Sequence, residues 1–225
     1  MLQDETAMYS HLRTPRAAAV AGIVFSILLV VIFWIFRSAV PADPLDPGAW
    51  LADDSWSVAL ALNLIPFAGI AFLWFIGVLR DRLGPKEDRF FATVFLGSGL
   101  LFLATLFVAA TIVGALLLIA PSIGMTGTTT APTFRFGRAA AYILINVYAI
   151  KMAGVFMIST STVVIYTGIV PRWIAGIGYA LAALVLLGSF YFSWSMMVLP
   201  IWVLLISVHI LIDNLRRQDG STGQQ

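Results

Sequence analysis

Apolar residues run in long, nearly uninterrupted blocks along this chain, and the blocks do not alternate with polar positions. Residues 17–36, 58–79 and 90–120 are three of them, each near or above the roughly 20 residues that carry an α-helix across a ~30 Å hydrocarbon core. A helix satisfies its own backbone hydrogen bonds in lipid, whereas a transmembrane β-strand is a segment of about ten residues in strict alternation. The pattern predicts an all-α membrane protein, a six-transmembrane-helix bundle. Its spans fall at about 17–37, 57–79, 90–120, 138–168, 172–190 and 194–214, forming a single membrane domain over 1–225.

Composition sharpens this class. The 225 residues are 60% hydrophobic and 11% charged, against about half and about a quarter in a soluble domain. Cysteine is absent, which removes disulfides and thiolate metal or redox sites from consideration. Basic residues set the orientation, because they concentrate on the cytoplasmic side. With six crossings, Arg13, Arg16, Arg80, Arg82, Lys86, Arg89, Arg172, Arg216 and Arg217 fall on one side, and Arg37, Arg135 and Arg138 on the other. Both termini are therefore expected in the cytoplasm and the chain in the bacterial cytoplasmic (inner) membrane. Val40-Pro41-Ala42 after the first apolar run also resembles a signal-peptide cleavage site, but the run exceeds the 7–15 residues of a signal core, so the span is expected to be retained.

The connections differ in kind. Residues 38–56 carry Asp43, Asp46, Asp53 and Asp54 among Pro41, Pro44 and Pro47, an acidic segment stiffened by proline. Residues 80–89 mix both signs around Gly84-Pro85, and 121–137 are rich in Thr and Gly. Small residues four apart, Ala18/Gly22, Ala110/Gly114, Ala149/Ala153 and Gly178/Ala182, allow close helix contact. Pro66 and Pro200 interrupt the hydrogen-bond ladder of the second and sixth spans, and Asn63 stands one turn before Pro66, placed to serve the freed backbone or to line a cavity. Trp50, Trp56, Trp173 and Trp194 fit interfacial belts.

Lys151 is the only charge between Arg138 and Arg172, and an ammonium inside a span is costly enough to require a partner or a function. At 100° per residue, Tyr148, Lys151, Val155, Ser159, Thr162 and Tyr166 form one stripe on the fourth span. Such a stripe is expected to face inward. It serves either interhelical hydrogen bonding or an ion or substrate pathway along Tyr148, Lys151, Ser159, Thr162 and Tyr166. Helical side chains lean toward the N-terminus, so the ammonium leans toward Tyr148, where water, a tyrosine hydroxyl or an aspartate of the first loop would meet it.

His209 and Asp213 stand one turn apart in the sixth span, a pair that could handle a proton. Arg216 and Arg217 lie three and four residues beyond Asp213, a spacing that points instead to an ion pair closing the helix. Haem would need a second histidine in the membrane, and His11 lies outside it; no cofactor is expected. Gly97-Ser98-Gly99 and His209 lie at similar depths, which admits a Ser/His hydrolase. The Gly-x-Ser-Gly pattern of rhomboid proteases, however, would require glycine where Leu96 stands, and the second span has no histidine. Phosphate loops, metal clusters and a nucleic-acid surface are not visible.

Thr167-Gly168-Ile169-Val170-Pro171-Arg172-Trp173, followed by Gly176, Gly178 and Tyr179, resembles a junction of uncharacterised small polytopic bacterial membrane proteins. The resemblance implies a topology and names no activity. The expectation is a non-enzymatic subunit or interaction partner in a membrane assembly, contacting the lipid bilayer and a membrane-protein partner or a second copy. The alternatives are a small transporter or channel along the Lys151 stripe, and an intramembrane hydrolase.

Overall fold

A computed structural model describes residues 15–41, 43, 50–81, 89–120, 132–168, 171–188 and 194–222. The expectations for His11, Arg13, Asp46, Arg82, Lys86 and the Thr/Gly-rich connection at 121–131 lie outside these residues. Among them the chain is helical throughout, with no strand. The helices are α1 Pro15–Ala39, α2 Trp50–Asp53, α3 Ser55–Asp81, α4 Arg89–Ile119, α5 Pro132–Ile143, α6 Ile150–Thr167, α7 Arg172–Gly188 and α8 Ser195–Thr222. A π-helical segment, Leu144–Ala149, joins α5 to α6 without a break. Five helical stretches are long and apolar enough to cross a membrane, the fourth being α5, the π segment and α6 together; α7 is apolar but shorter, at 17 residues. These stretches give the protein the character of a multi-pass membrane protein.

Neighbour relations follow from where small residues let backbones approach. α1 lies between α3 and α8, and α6 lies between α4 and α7. A Cβ added to Gly22 of α1 would fall 2.0 Å from Ser207 Oγ of α8, and one at Gly178 of α7 would fall 2.2 Å from Ser161 Oγ of α6. Both glycines are required by contact, as expected for small-residue helix crossings. Phenylalanines fill the centre. Phe72 of α3 lies 4.5 Å from Phe25 of α1, 5.6 Å from Phe102 of α4 and 5.0 Å from Phe156 of α6, ring centre to ring centre, and all four are fully buried.

Local chemistry explains the helix ends and corrects two expectations. α6 stops at Gly168, whose φ of +65° is left-handed and whose N–H bonds Ile165 O. Only glycine takes that conformation without strain, and Pro171 then precedes α7. Asn63 donates to Ala59 O at 2.8 Å, not to Leu62 O, the carbonyl that Pro66 deprives of its i+4 donor; α3 and α8 each continue through their prolines. Trp50, expected in an interfacial belt, is buried at 5% exposure, while Trp56, Trp173 and Trp194 are exposed. The cause is a small second core, where Trp50 packs with Ala39, Val58, Leu116 and Phe134. That core gathers the end of α1, the start of α3, the end of α4 and the start of α5 at one end of the bundle.

Candidate functional site

Two polar positions of the fourth-span stripe, Lys151 and Thr162, meet α7. The Lys151 ammonium donates to the carbonyl oxygen of Leu186. Thr162 Oγ1 lies 2.7 Å from Tyr179 Oη and also donates to Ile158 O. Ser159 is buried between them and donates to Val155 O at 2.9 Å. Tyr148 and Tyr166, at the two ends of the stripe, are 55% and 79% exposed, so the inward face covers the middle of α6 and not its ends. Tyr148 sits inside the π segment, where the extra residue per turn breaks the 100° phase that the helical wheel assumes.

The Lys151 ammonium counts a backbone carbonyl among its partners. α7 ends at Gly188, so the carbonyls of its last four residues have no i+4 donor within the helix, and Leu186 O is among them. Seventeen residues make roughly 26 Å of helix, short of a ~30 Å hydrocarbon layer. The ammonium satisfies both the orphan carbonyl and the negative end of the helix dipole. Close packing holds the two in register: a Cβ at Gly154 would fall 2.7 Å from Leu186 Cγ and 3.5 Å from Ala182 O. Lys151→Met should leave this carbonyl without its donor and destabilise the bundle by about 2 kcal/mol, read as a lower unfolding midpoint in detergent. An unchanged midpoint would show that the contact carries no stability.

The remaining sequence candidates lie on α8 and α4. His209 and Asp213 are half-buried one turn apart on α8, Arg216 is exposed beyond them, and Asn214 donates to Ile210 O. Ser98 is buried and its hydroxyl donates to Phe95 O of its own helix. Gly99 marks a packing point, since its Cβ would fall 2.6 Å from Ile76 Cδ1 and 3.3 Å from Phe156. Among the described residues, the helices carrying Ser98 and His209 are not one of the extensively packed pairs. Among the described residues, no group of three or more metal-ligating side chains occurs.

Two features were missed from the sequence. The first is Arg138, which is buried at 7% exposure. Its Nη2 donates to Pro41 O at 2.8 Å and to Asp43 O at 2.5 Å, and its guanidinium carbon lies 5.9 Å from the centre of the Trp50 ring. A residue read as an orientation marker is thus a clamp between α5 and the segment after α1. The second is a cavity of about 230 Å³ beside this clamp. Its buried walls include Ile32, Ile65, Leu106, Ala109, Leu116 and Met197; its exposed rim carries Arg37, Pro41, Tyr142 and Trp194. The π segment contributes Ile145 and Asn146. The available signal was the coincidence of Arg37, Trp50, Arg138 and Trp194 at one predicted membrane face.

Comparison with protein-family models, with curated proteins and with solved structures returned no match to this chain.

Proposed function

We propose that this chain is a non-enzymatic six-span bundle of the bacterial cytoplasmic membrane, with both termini cytoplasmic, acting as a subunit or interaction partner in a membrane assembly. The outward face of α7 carries the reading. Gly176, Ala180 and Ala183 are exposed on it at helical spacing, and a Cβ at Gly176 would meet nothing within 4 Å. Small residues in this arrangement let a second membrane helix approach closely. The opposite face of α7 is fastened by Lys151, Gly154 and Thr162, so the helix is held rigid from within while its small-residue groove stays open. The phenylalanines packed around Phe72 occupy the bundle centre, which favours this reading over an axial conducting path. Sixfold crossing is supported by the charge distribution, nine basic residues against three, and by the gathering of Arg37, Trp50 and Arg138 at one end.

The test is purification from native membranes. The wild-type chain should come with a stoichiometric second helix-bearing protein or a second copy, and Gly176→Leu combined with Ala180→Leu should lose it while the single chain keeps its helicity and unfolding midpoint. A chain that purifies alone, and whose Lys151→Met variant stays helical and folded yet loses ion or solute flux in liposomes, would replace this reading with transport along the α6 stripe.

A further inference from the structure

We propose that the cavity between α1, α3, α4, α5 and α8 seats one acyl chain of a phospholipid from the leaflet at the Arg37 end, with the lipid phosphate held by the Arg37 guanidinium at the rim. The volume, about 230 Å³, exceeds the ~150 Å³ of an apolar cavity that accepts benzene. It accommodates a stretch of hydrocarbon and not a polar head group as well. The inner walls are carbon, from Ile32, Ile65, Leu106 and Leu116, so they offer a chain dispersion contacts and offer water few partners.

Charge and position identify the head. Among the described residues, two guanidiniums and no carboxylate line the cavity. Arg138 already serves the carbonyls of Pro41 and Asp43, which fixes the wall. Arg37 is exposed, its guanidinium carbon 5.8 Å from the centre of the Trp194 ring, and is placed to meet an anion outside the hydrocarbon. A rim of arginine, tryptophan and tyrosine is the residue set found at head-group depth, and a planar guanidinium matches a phosphate with paired hydrogen bonds. These features favour a bilayer phospholipid over a free fatty acid, whose single carboxylate is the other source of the same chemistry.

Photolabelling of the full chain in phosphatidylglycerol-containing nanodiscs tests this, using phosphatidylglycerol with a mid-chain diazirine and locating adducts by peptide mass spectrometry. Adducts are expected on Met197, Trp50 or Ile145, removed by excess unlabelled phosphatidylglycerol and not by equimolar oleate. Arg37→Gln should lower the cavity labelling about tenfold. Ala109→Phe, which fills the cavity, should abolish it while adducts on the outward-facing Trp74 and Leu118 persist. Wild-type labelling confined to Trp74, Leu118 and similar outward residues would overturn the proposal, whatever the variants do. Equal displacement by oleate would reassign the site to a fatty acid, and protection of the cavity by dimerisation would assign it to a second copy; either result overturns the phospholipid.

Discussion

Phe72→Ala is expected to lower the stability of the bundle by on the order of 3 kcal/mol, the largest effect of any single truncation considered. The ring meets Phe25, Phe75, Phe102 and Phe156, so its loss leaves a void touching α1, α3, α4 and α6 together. In soluble proteins Phe→Ala at such a site costs about 3–5 kcal/mol, part of it transfer from water and part the cavity. Lipid is as apolar as the core, so the transfer part shrinks in a membrane while the lost dispersion contacts remain. The measurement is the unfolding midpoint in detergent or on titration with sodium dodecyl sulfate. Phe72→Leu should recover more than half of the loss by refilling the volume. If Phe72→Ala unfolds with the wild-type midpoint, the aromatic cluster is not what joins the four helices.

Arg138→Met should cost about 2 kcal/mol, with the damage confined to the Arg37 end of the bundle. Two carbonyls lose a charge-assisted donor, a loss of roughly 1–3 kcal/mol where the acceptors stay dry. The cost stays inside that range because Pro41 and Asp43 are exposed and water replaces part of the bonding. Removing the buried ion also removes its own desolvation cost. Hydrogen exchange should accelerate around Trp50 and the start of α5, and remain unchanged around Gly178 in the α6–α7 pair. Uniform acceleration along the chain would show that Arg138 supports the whole bundle and not a local clamp.

Much of the fold was legible because membrane helices announce themselves by length and apolar continuity. The spans through α1, α3, α4, the fourth stretch and α8 are of this kind, and Gly22 and Gly178 are close-contact points as their small-residue spacing suggests. Lys151 was legible as an anomaly. Its backbone partner was not legible, because a carbonyl carries no residue signature; what makes Leu186 O available is where α7 ends. Arg138 was hidden for a related reason. Its acceptors are 97 and 95 positions away in sequence and belong to residues of no special type for the task. A cavity is harder still to read, since it is defined by side chains from α1, α3, α4, α5 and α8 failing to meet.

The π segment was invisible because Leu144–Ala149 contains neither proline nor glycine, the two residues that usually advertise a departure from helical geometry. Counting residues around such a turn shows what it does. A π turn is a one-residue insertion absorbed without breaking the rod, and one residue corresponds to about 100° of rotation. The two halves of the fourth stretch are therefore clocked independently: α5 is phased so that Arg138 covers Trp50, and α6 so that Lys151 reaches Leu186. Deleting a single residue between Leu144 and Ala149 would return the rod to one continuous phase, and only one of those two arginine and lysine contacts could then be kept.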